Sequence, residues 1–364
     1  MTGRIDALRR LARNLGLDAV LVTSPTNLRH LTGYSADDDA LDELTAVLLV
    51  DRDSAHLLTS PNNLEWACAE VVPGVAASAW RRPWTRHVAE IVAEWRWSRL
   101  GFEDGGMLVR IHRSLAAEIP SGTEMVEMGG TVDELRARKS DAEIDLMQAS
   151  ISLTDEVFVE ARSRVRVGMT ERELARIIED SMRAKGADGP GFPTIVASGP
   201  NAARPHHATG SRAFVPGEPI IIDMGARLDG YHADLTRTIT VGAASERLAQ
   251  VYNVVRDAQS AALSVVRAGA EVRSVDQAYR DSVAEAGFES AVVHAVGHGL
   301  GMRIHEHPSV SIASDGRMEA GHVVTIEPGL YVPGWGGVRI EDVVLVTDGG
   351  HRQLSAAPKE HFIA

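Results

Sequence analysis

The stretch PIIIDMGARLDGYHADLTRTITV, residues 219–241, holds two β-rich runs separated by Asp229-Gly230. Asp-Gly suits the positive φ angles of a tight hairpin turn. With these two residues as the turn, Leu228 pairs with Tyr231 and Gly225 lies opposite Asp234, while Asp223 falls on the same face as Gly225. Asp223 and Asp234 therefore project to one side, diagonally across the hairpin. The run 220–222 is apolar throughout and reads as buried on both faces rather than as a solvent-facing edge. Two carboxylates that close would repel each other and lose their hydration, so their burial demands a cation between them.

A second pair follows in GHVVTIEPGLYVPGWGGVRIEDVVLV, residues 321–346, where Glu327 closes one β-like run and Glu341 lies inside the next. A carboxylate amid Val, Ile and Leu on a central strand is rare without a partner, and here two such strands occur in succession. Arg339 shares the face of Glu341. It either anchors a substrate carboxylate bidentately or neutralises the acids, and spacing leaves both open.

Between the pairs lies HAVGHGLGMRIHEHP, residues 294–308, with His294, His298, His305 and His307 among glycines. Gly297, Gly299 and Gly301 resemble part of a nucleotide fingerprint, but the full G-x-G-x-x-G is absent. Histidines this dense between two buried carboxylate pairs point to a site. His206 and His207, after the turn-rich GPNAARP, are candidates to join it. Four carboxylates and one imidazole form a mostly hard-oxygen shell that suits Mn²⁺, Co²⁺ or Fe²⁺ better than a structural zinc. Two ions held about 3.5–4 Å apart would activate a water at neutral pH and polarise a scissile carbonyl.

Around this region, the 364-residue length predicts two domains with separate cores, supported by 44% hydrophobic content. Residues 1–128 alternate helical and strand patterns: a helix near 3–16, then DAVLVTS, TAVLLVD, AHLLTS and RLGFE, an α/β domain. Its histidines His30, His56, His87 and His112 are scattered and read as packing or surface residues. Gly129-Gly130 marks the boundary, and a long helical stretch runs from Lys139 to about Arg166. Thr170-x-x-Glu173 is a capping box opening a helix that stops at Gly186, and Ser274-x-x-Gln277 is read as opening another that stops at Gly287. At one constant offset, Gly168/Gly269, Arg172/Arg273, Asp180/Asp281, Ser181/Ser282 and Gly186/Gly287 are identical pairs. An internal duplication, with two similar halves facing a shared centre, is the expectation.

A formal charge of -13 argues against nucleic acid or an anionic membrane as partner. The lone Cys68 cannot form an internal disulfide and fits a reducing compartment, the cytoplasm. The N-terminus lacks the apolar run of a signal peptide, and no stretch reaches membrane-spanning length.

The motifs DMGARLDGYHADLTRT, VGHGLGMRIHEHP and TIEPGLYVPGWGGVRIED resemble those of the pita-bread metallopeptidases, the family of methionine aminopeptidase, aminopeptidase P and prolidase. The order Asp, Asp, His, Glu, Glu agrees throughout. The resemblance implies a duplicated, pseudo-two-fold α+β catalytic fold over residues 135–364, preceded by a creatinase-type α/β domain over 1–128. It implies two divalent metal ions, Mn or Co, chelated by Asp223, bridged by Asp234 and Glu341, and completed by His298 and Glu327. Glu327 would also act as general base, His206 and His305 would stabilise the tetrahedral intermediate or protonate the leaving nitrogen, and His294 would line the substrate site. Arg339 would anchor a carboxylate or support the ligands. The implied activity is hydrolysis of peptide bonds preceding proline in a small peptide, by a homodimer whose N-terminal domain closes over a neighbour's site. A metal-dependent C–N hydrolase of a non-peptide compound and a metal-free binding module are the alternatives.

Overall fold

The computed structural model describes residues 2–35, 44–360 and 362–363. It divides into two compact units, Met1–Arg136 and Ala137–Ala364. The division falls after Arg136 rather than at the Gly129-Gly130 pair because Arg136 still belongs to the first unit, where it donates to Asp133 at 2.7 Å and to Asn27.

The first unit is built on a six-stranded sheet in the order Ala76–Ala79, Ala55–Thr59, Ala46–Asp51, Ala19–Val22, Arg99–Phe102, Glu124–Glu127. All four runs expected as strands form and lie side by side. Successive residues of the central strands enter opposite cores, Val20, Val22 and Leu48 on one face and Leu21, Val47 and Leu49 on the other. This period-two segregation explains their unbroken apolar sequence, since both faces are covered. The two edge strands are half exposed and carry no such run.

In the second unit the duplication is visible in the backbone. Helix Glu171–Ala184 starts from Thr170, whose side chain and that of Glu173 form the expected capping box. The later helix spans Val272–Glu285 and is capped by Glu271, not Ser274; the Ser274 hydroxyl instead donates back to Glu271 O at 2.7 Å. That correction brings the two helices onto the same offset as the identical glycines, and both have 14 residues. Gly168 and Gly269 precede them with φ of 79° and 82°, and Gly186 and Gly287 follow with φ of 92° and 78°. Each N-cap also bridges an antiparallel partner, Thr170 with Ala213 and Glu271 with Arg317.

Each helix packs with a longer one, Asp141–Arg162 or Glu246–Val265, against its own sheet. The first sheet runs Phe362–Ile363, Leu235–Val241, Ile220–Met224, Ile195–Ser198; the second runs Glu306–Val310, Gly297–Gly299, Val323–Ile326, Asp342–Thr347, Gly350–Gln353. No helix among the described residues is long and apolar enough to cross a membrane.

Both sheets contain a hairpin that bends partway along. In the first, Leu228 pairs with Tyr231 as the Asp-Gly turn predicts, and the register carries through to Met224 with Leu235 and Asp223 with Thr236. At the bend Ala233 N donates to Ala226 O at 2.8 Å, and a Cβ on Gly225 would stand 1.9 Å from Ala233 O. In the second hairpin Ile326 pairs with Asp342 and, past the bend, Gly329 with Arg339. The four carboxylates sit at these two bends. Gly225→Ala should therefore lower stability by about 3 kcal/mol through backbone overpacking. Gly105→Ala, with nothing within 4 Å of the added carbon, should stay within about 0.5 kcal/mol of wild type when both variants are unfolded in urea.

Candidate metal centre

His298 is the middle residue of Gly297–Gly299, a strand held between Glu306–Val310 and Val323–Ile326. A Cβ at Gly297 would meet Thr325 O at 2.0 Å, and one at Gly299 would meet His307 O at 2.2 Å. The glycines flanking His298 thus permit close backbone packing that seats the imidazole, which is what the partial nucleotide-like pattern encodes. Thr325 Oγ1 accepts from His298 N at 3.1 Å.

The structure brings one ligand atom each of Asp234, His298 and Glu341 within 4.8 Å of one another. His298 Nε2 lies 3.6 Å from Asp234 Oδ2 and 3.5 Å from Glu327 Oε1. Its Nδ1 faces Gly299 O at 3.0 Å, and since a carbonyl only accepts, Nδ1 carries the proton and the Nε2 lone pair points at the carboxylates. Asp223 stands at the edge of this group, its Oδ2 2.6 Å from Arg339 Nη2. Glu341 Oε2 accepts from Thr236 Oγ1 at 2.8 Å, whereas its Oε1 is buried with no hydrogen-bond partner among the described residues.

Electrostatics point the same way. Burial, then repulsion by Glu341, Asp223 and Glu327, pushes the Asp234 carboxyl well above its ordinary pKa; burial and the charges of Glu327 and Asp223 do the same to Glu341. Burial also raises Asp223 and Glu327, opposed by Arg339 on the first and by His294 and Arg339 on the second. Desolvation lowers His298. A lone pair aimed at acids, an orphaned carboxylate oxygen and a pocket hostile to its own negative charges all fit a divalent cation.

The remaining histidines divide. The His305 ring meets the His298 ring edge-on with centroids 4.4 Å apart, and desolvation lowers its pKa. His206 stands near enough to Asp223, Glu327, His294 and His305 to perturb them electrostatically. His207 turns away, to Glu171 at 3.0 Å, and His307 is exposed.

Arg339 is buried and its three nitrogens are engaged, Nε with Thr236 Oγ1 at 3.0 Å, Nη1 with Tyr331 Oη at 2.7 Å and Nη2 with Asp223. Of the two roles left open for it, carboxylate anchor or support of the acids, these contacts favour the second: the guanidinium faces inward and braces Asp223 and Tyr331. Tyr331, not singled out from sequence, is the hub of this chain. His294 Nδ1 donates to Ala295 O at 2.7 Å, so its Nε2, 2.8 Å from Tyr331 Oη, accepts the phenol proton while the phenol oxygen accepts from Arg339. Burial raises Tyr331 to about 12, keeping that proton in place. The hairpin register places Tyr331 opposite Gly337 and diagonal to Arg339, which pairs with Gly329.

Comparison with known proteins accords with this geometry. Residues 145–348 match the model of metallopeptidase family M24, and residues 4–138 match the creatinase/prolidase N-terminal domain. An uncharacterized peptidase, YqhT, of Bacillus subtilis is 34% identical over 99% of both chains. Among solved structures, an Xaa-Pro dipeptidase from Bacillus anthracis superposes with a TM-score of 0.94 at 32% identity, covering 100% of this chain and 99% of its own. An X-Pro aminopeptidase from Thermotoga maritima does so with a TM-score of 0.87 at 27% identity, covering 98% of this chain and 100% of its own. The family's α/β N-terminal domain and pita-bread catalytic domain are those described above, its members use divalent metal ions, and the chain belongs to metallopeptidase family M24.

Proposed function

We propose that this peptidase hydrolyses the bond preceding proline in dipeptides, with a pair of divalent ions, Mn²⁺ or Co²⁺, held by Asp223, Asp234, His298, Glu327 and Glu341. The observation that carries the metal reading is the Asp234–His298–Glu341 cluster with its unpartnered Glu341 oxygen. The proline preference rests on the similarity to the Bacillus anthracis Xaa-Pro dipeptidase, and the higher TM-score to it than to the Thermotoga aminopeptidase favours dipeptides.

When bound, such ions supply an acidified water and a polarised scissile carbonyl. Glu327, 3.5 Å from His298 Nε2, takes the proton of the attacking water in this reading. His206 and His305 stabilise charge on the tetrahedral carbon's oxygen and return a proton to the proline nitrogen, which cannot leave as an anion. His294 lines the substrate side with its tautomer set by Ala295 O, and Arg339 orients Asp223 and opposes the rise that burial imposes on its carboxyl. We further propose a cytoplasmic homodimer.

Hydrolysis of Ala-Pro and Ala-Pro-Ala, after chelation and then with added Mn²⁺ or Co²⁺, tests the activity. Metal-dependent cleavage of Ala-Pro alone is expected; cleavage of the tripeptide would make the enzyme an aminopeptidase, and inertness toward both despite metal loading would favour a non-peptide C–N bond.

The raised carboxyl pKa values give a second test, on metal-stripped protein. The folded state keeps protons on Asp234 and Glu341 that the unfolded chain releases in the ordinary carboxylate range, so their contribution to stability is present in acid and lost as pH rises through the raised values. Glu341→Gln, which cannot ionise, should gain in melting temperature relative to wild type from about pH 5 to about pH 8 without metal. With saturating Mn²⁺ the order should reverse, and a constant difference at every pH would contradict the reading.

A further inference from the structure

Glu171, the first residue of helix Glu171–Ala184, is wholly buried, yet among the described residues its side-chain hydrogen bonds go to Ser198, Asn201, His207 and Gly210 and not to the metal cluster. Its carboxylate collects five donors from a segment distant in sequence. Oε1 accepts from Ser198 N and Ser198 Oγ, both at 2.8 Å, and from Asn201 Nδ2 at 3.0 Å. Oε2 accepts from His207 Nε2 and Gly210 N, both at 3.0 Å. The backbone adds two bonds, Glu171 N to Arg212 O and Arg172 N to Gly210 O, each at 3.0 Å. The segment 198–210 is thus pinned at both ends and at His207 in its middle. His206 is the next residue back along the moored segment, and its imidazole stands near enough to Asp223, Glu327, His294 and His305 to act on them electrostatically.

The arrangement is economical in physical terms. An ionised carboxylate at a helix's first turn is favoured by the helix dipole. Burial opposes ionisation, but the hydrogen bonds from Asn201, Ser198 and His207 outweigh it and hold the carboxyl below its ordinary range. A charged acceptor with five donors fixes them more firmly than neutral bonds would. The other half has a counterpart: Asp276, buried in helix Val272–Glu285, accepts from Val296 N at 3.1 Å and Ile312 N at 2.7 Å, on either side of the stretch bearing His298 and His305.

We infer that Glu171 is a positioning residue for the peptidase site: its buried carboxylate moors the segment 198–210 and so sets where the His206 imidazole stands. This rests on the role of His206 given above, and the test separates the two. Hydrogen exchange needs no substrate: in Glu171→Gln, amide exchange across residues 199–210 should rise about tenfold or more as the charge-assisted bonds weaken, while strand Ile220–Met224 keeps its protection. Unchanged exchange in 199–210 would overturn the mooring.

Kinetics of the Mn²⁺-loaded enzyme, with metal content checked, then ask what the mooring acts through. Glu171→Gln should lower kcat about tenfold with little change in KM, as a misplaced catalytic group does. His206→Ala should cost about a hundredfold, and adding Glu171→Gln to it should cost almost nothing more. Multiplicative losses in the double variant would show that Glu171 acts elsewhere and overturn the inference. A normal kcat for His206→Ala would instead remove the role of His206, leaving the mooring to the exchange result. Asn201→Ala, which deletes one donor without stranding a buried charge, should reproduce both effects in smaller measure if Glu171→Gln does not fold.

Discussion

The second unit is organised around a repulsion. Asp223, Asp234, Glu327 and Glu341 converge at the bends of two hairpins, and among the described residues the one guanidinium within ion-pair distance of them is Arg339, which reaches Asp223 and, more distantly, Glu327. Two unit charges about 4 Å apart repel by about 4 kcal/mol at the effective dielectric of a protein interior near its surface. Several such pairs would rival the roughly 5–15 kcal/mol that holds a typical domain together. A folded chain that gathers these groups must either protonate them or set a cation among them. The raised pKa values describe the first alternative and the His298 tautomer prepares the second.

Much of the remaining polar architecture keeps the acids in place while leaving their inner oxygens open. Thr236 holds one oxygen of Glu341, Arg339 holds one of Asp223, and Thr238 accepts from Arg339 N while donating to its carbonyl. Beneath them the buried Arg237 pairs with Asp342 at 2.8 Å and also donates to the carbonyl of Glu341. These groups spend their donors on backbone, on a hydroxyl or on one oxygen of a carboxylate. The lone pairs toward the centre stay available, the division expected of ligands braced by surrounding hydrogen bonds.

Local chemistry accounts for the parts of the fold and site that are legible in the sequence. The Asp-Gly turn dictates the pairing of Leu228 with Tyr231, and period-two geometry then carries Asp223 and Asp234 to one face. The capping box at Thr170 is similarly self-contained. Ser274 shows the limit of such patterns: the hydroxyl-x-x-amide signature fits, but the chain enters the helix earlier through the bridge of Glu271 with Arg317. Tyr331 goes unannounced, and Arg339 is left with two open roles, for another reason. Their partners, Asp223 and His294, lie far away in sequence, and side-chain direction at a buried junction follows from tertiary packing rather than from spacing. Glu171 is more hidden still, because in sequence it is one more acid at a helix start, where acids are common.

The duplication also explains why the site is lopsided. The two halves repeat their helices closely, and each contributes a bent hairpin with two acids, aspartates from the first and glutamates from the second. The acids are not placed alike along the hairpins: Asp223 pairs with Thr236, whereas Glu327 and Glu341 adjoin the paired Ile326 and Asp342. The longer glutamate side chains can span from positions that a shorter aspartate could not. The histidines follow no repeat. His298 comes from a strand of the second half wedged between glycines, while His206 comes from an irregular segment of the first that needs a mooring because no sheet register holds it. Duplication thus supplied a pair of acidic jaws, and departures from it supplied the imidazoles, His298 between the acids and His305 edge-on against it.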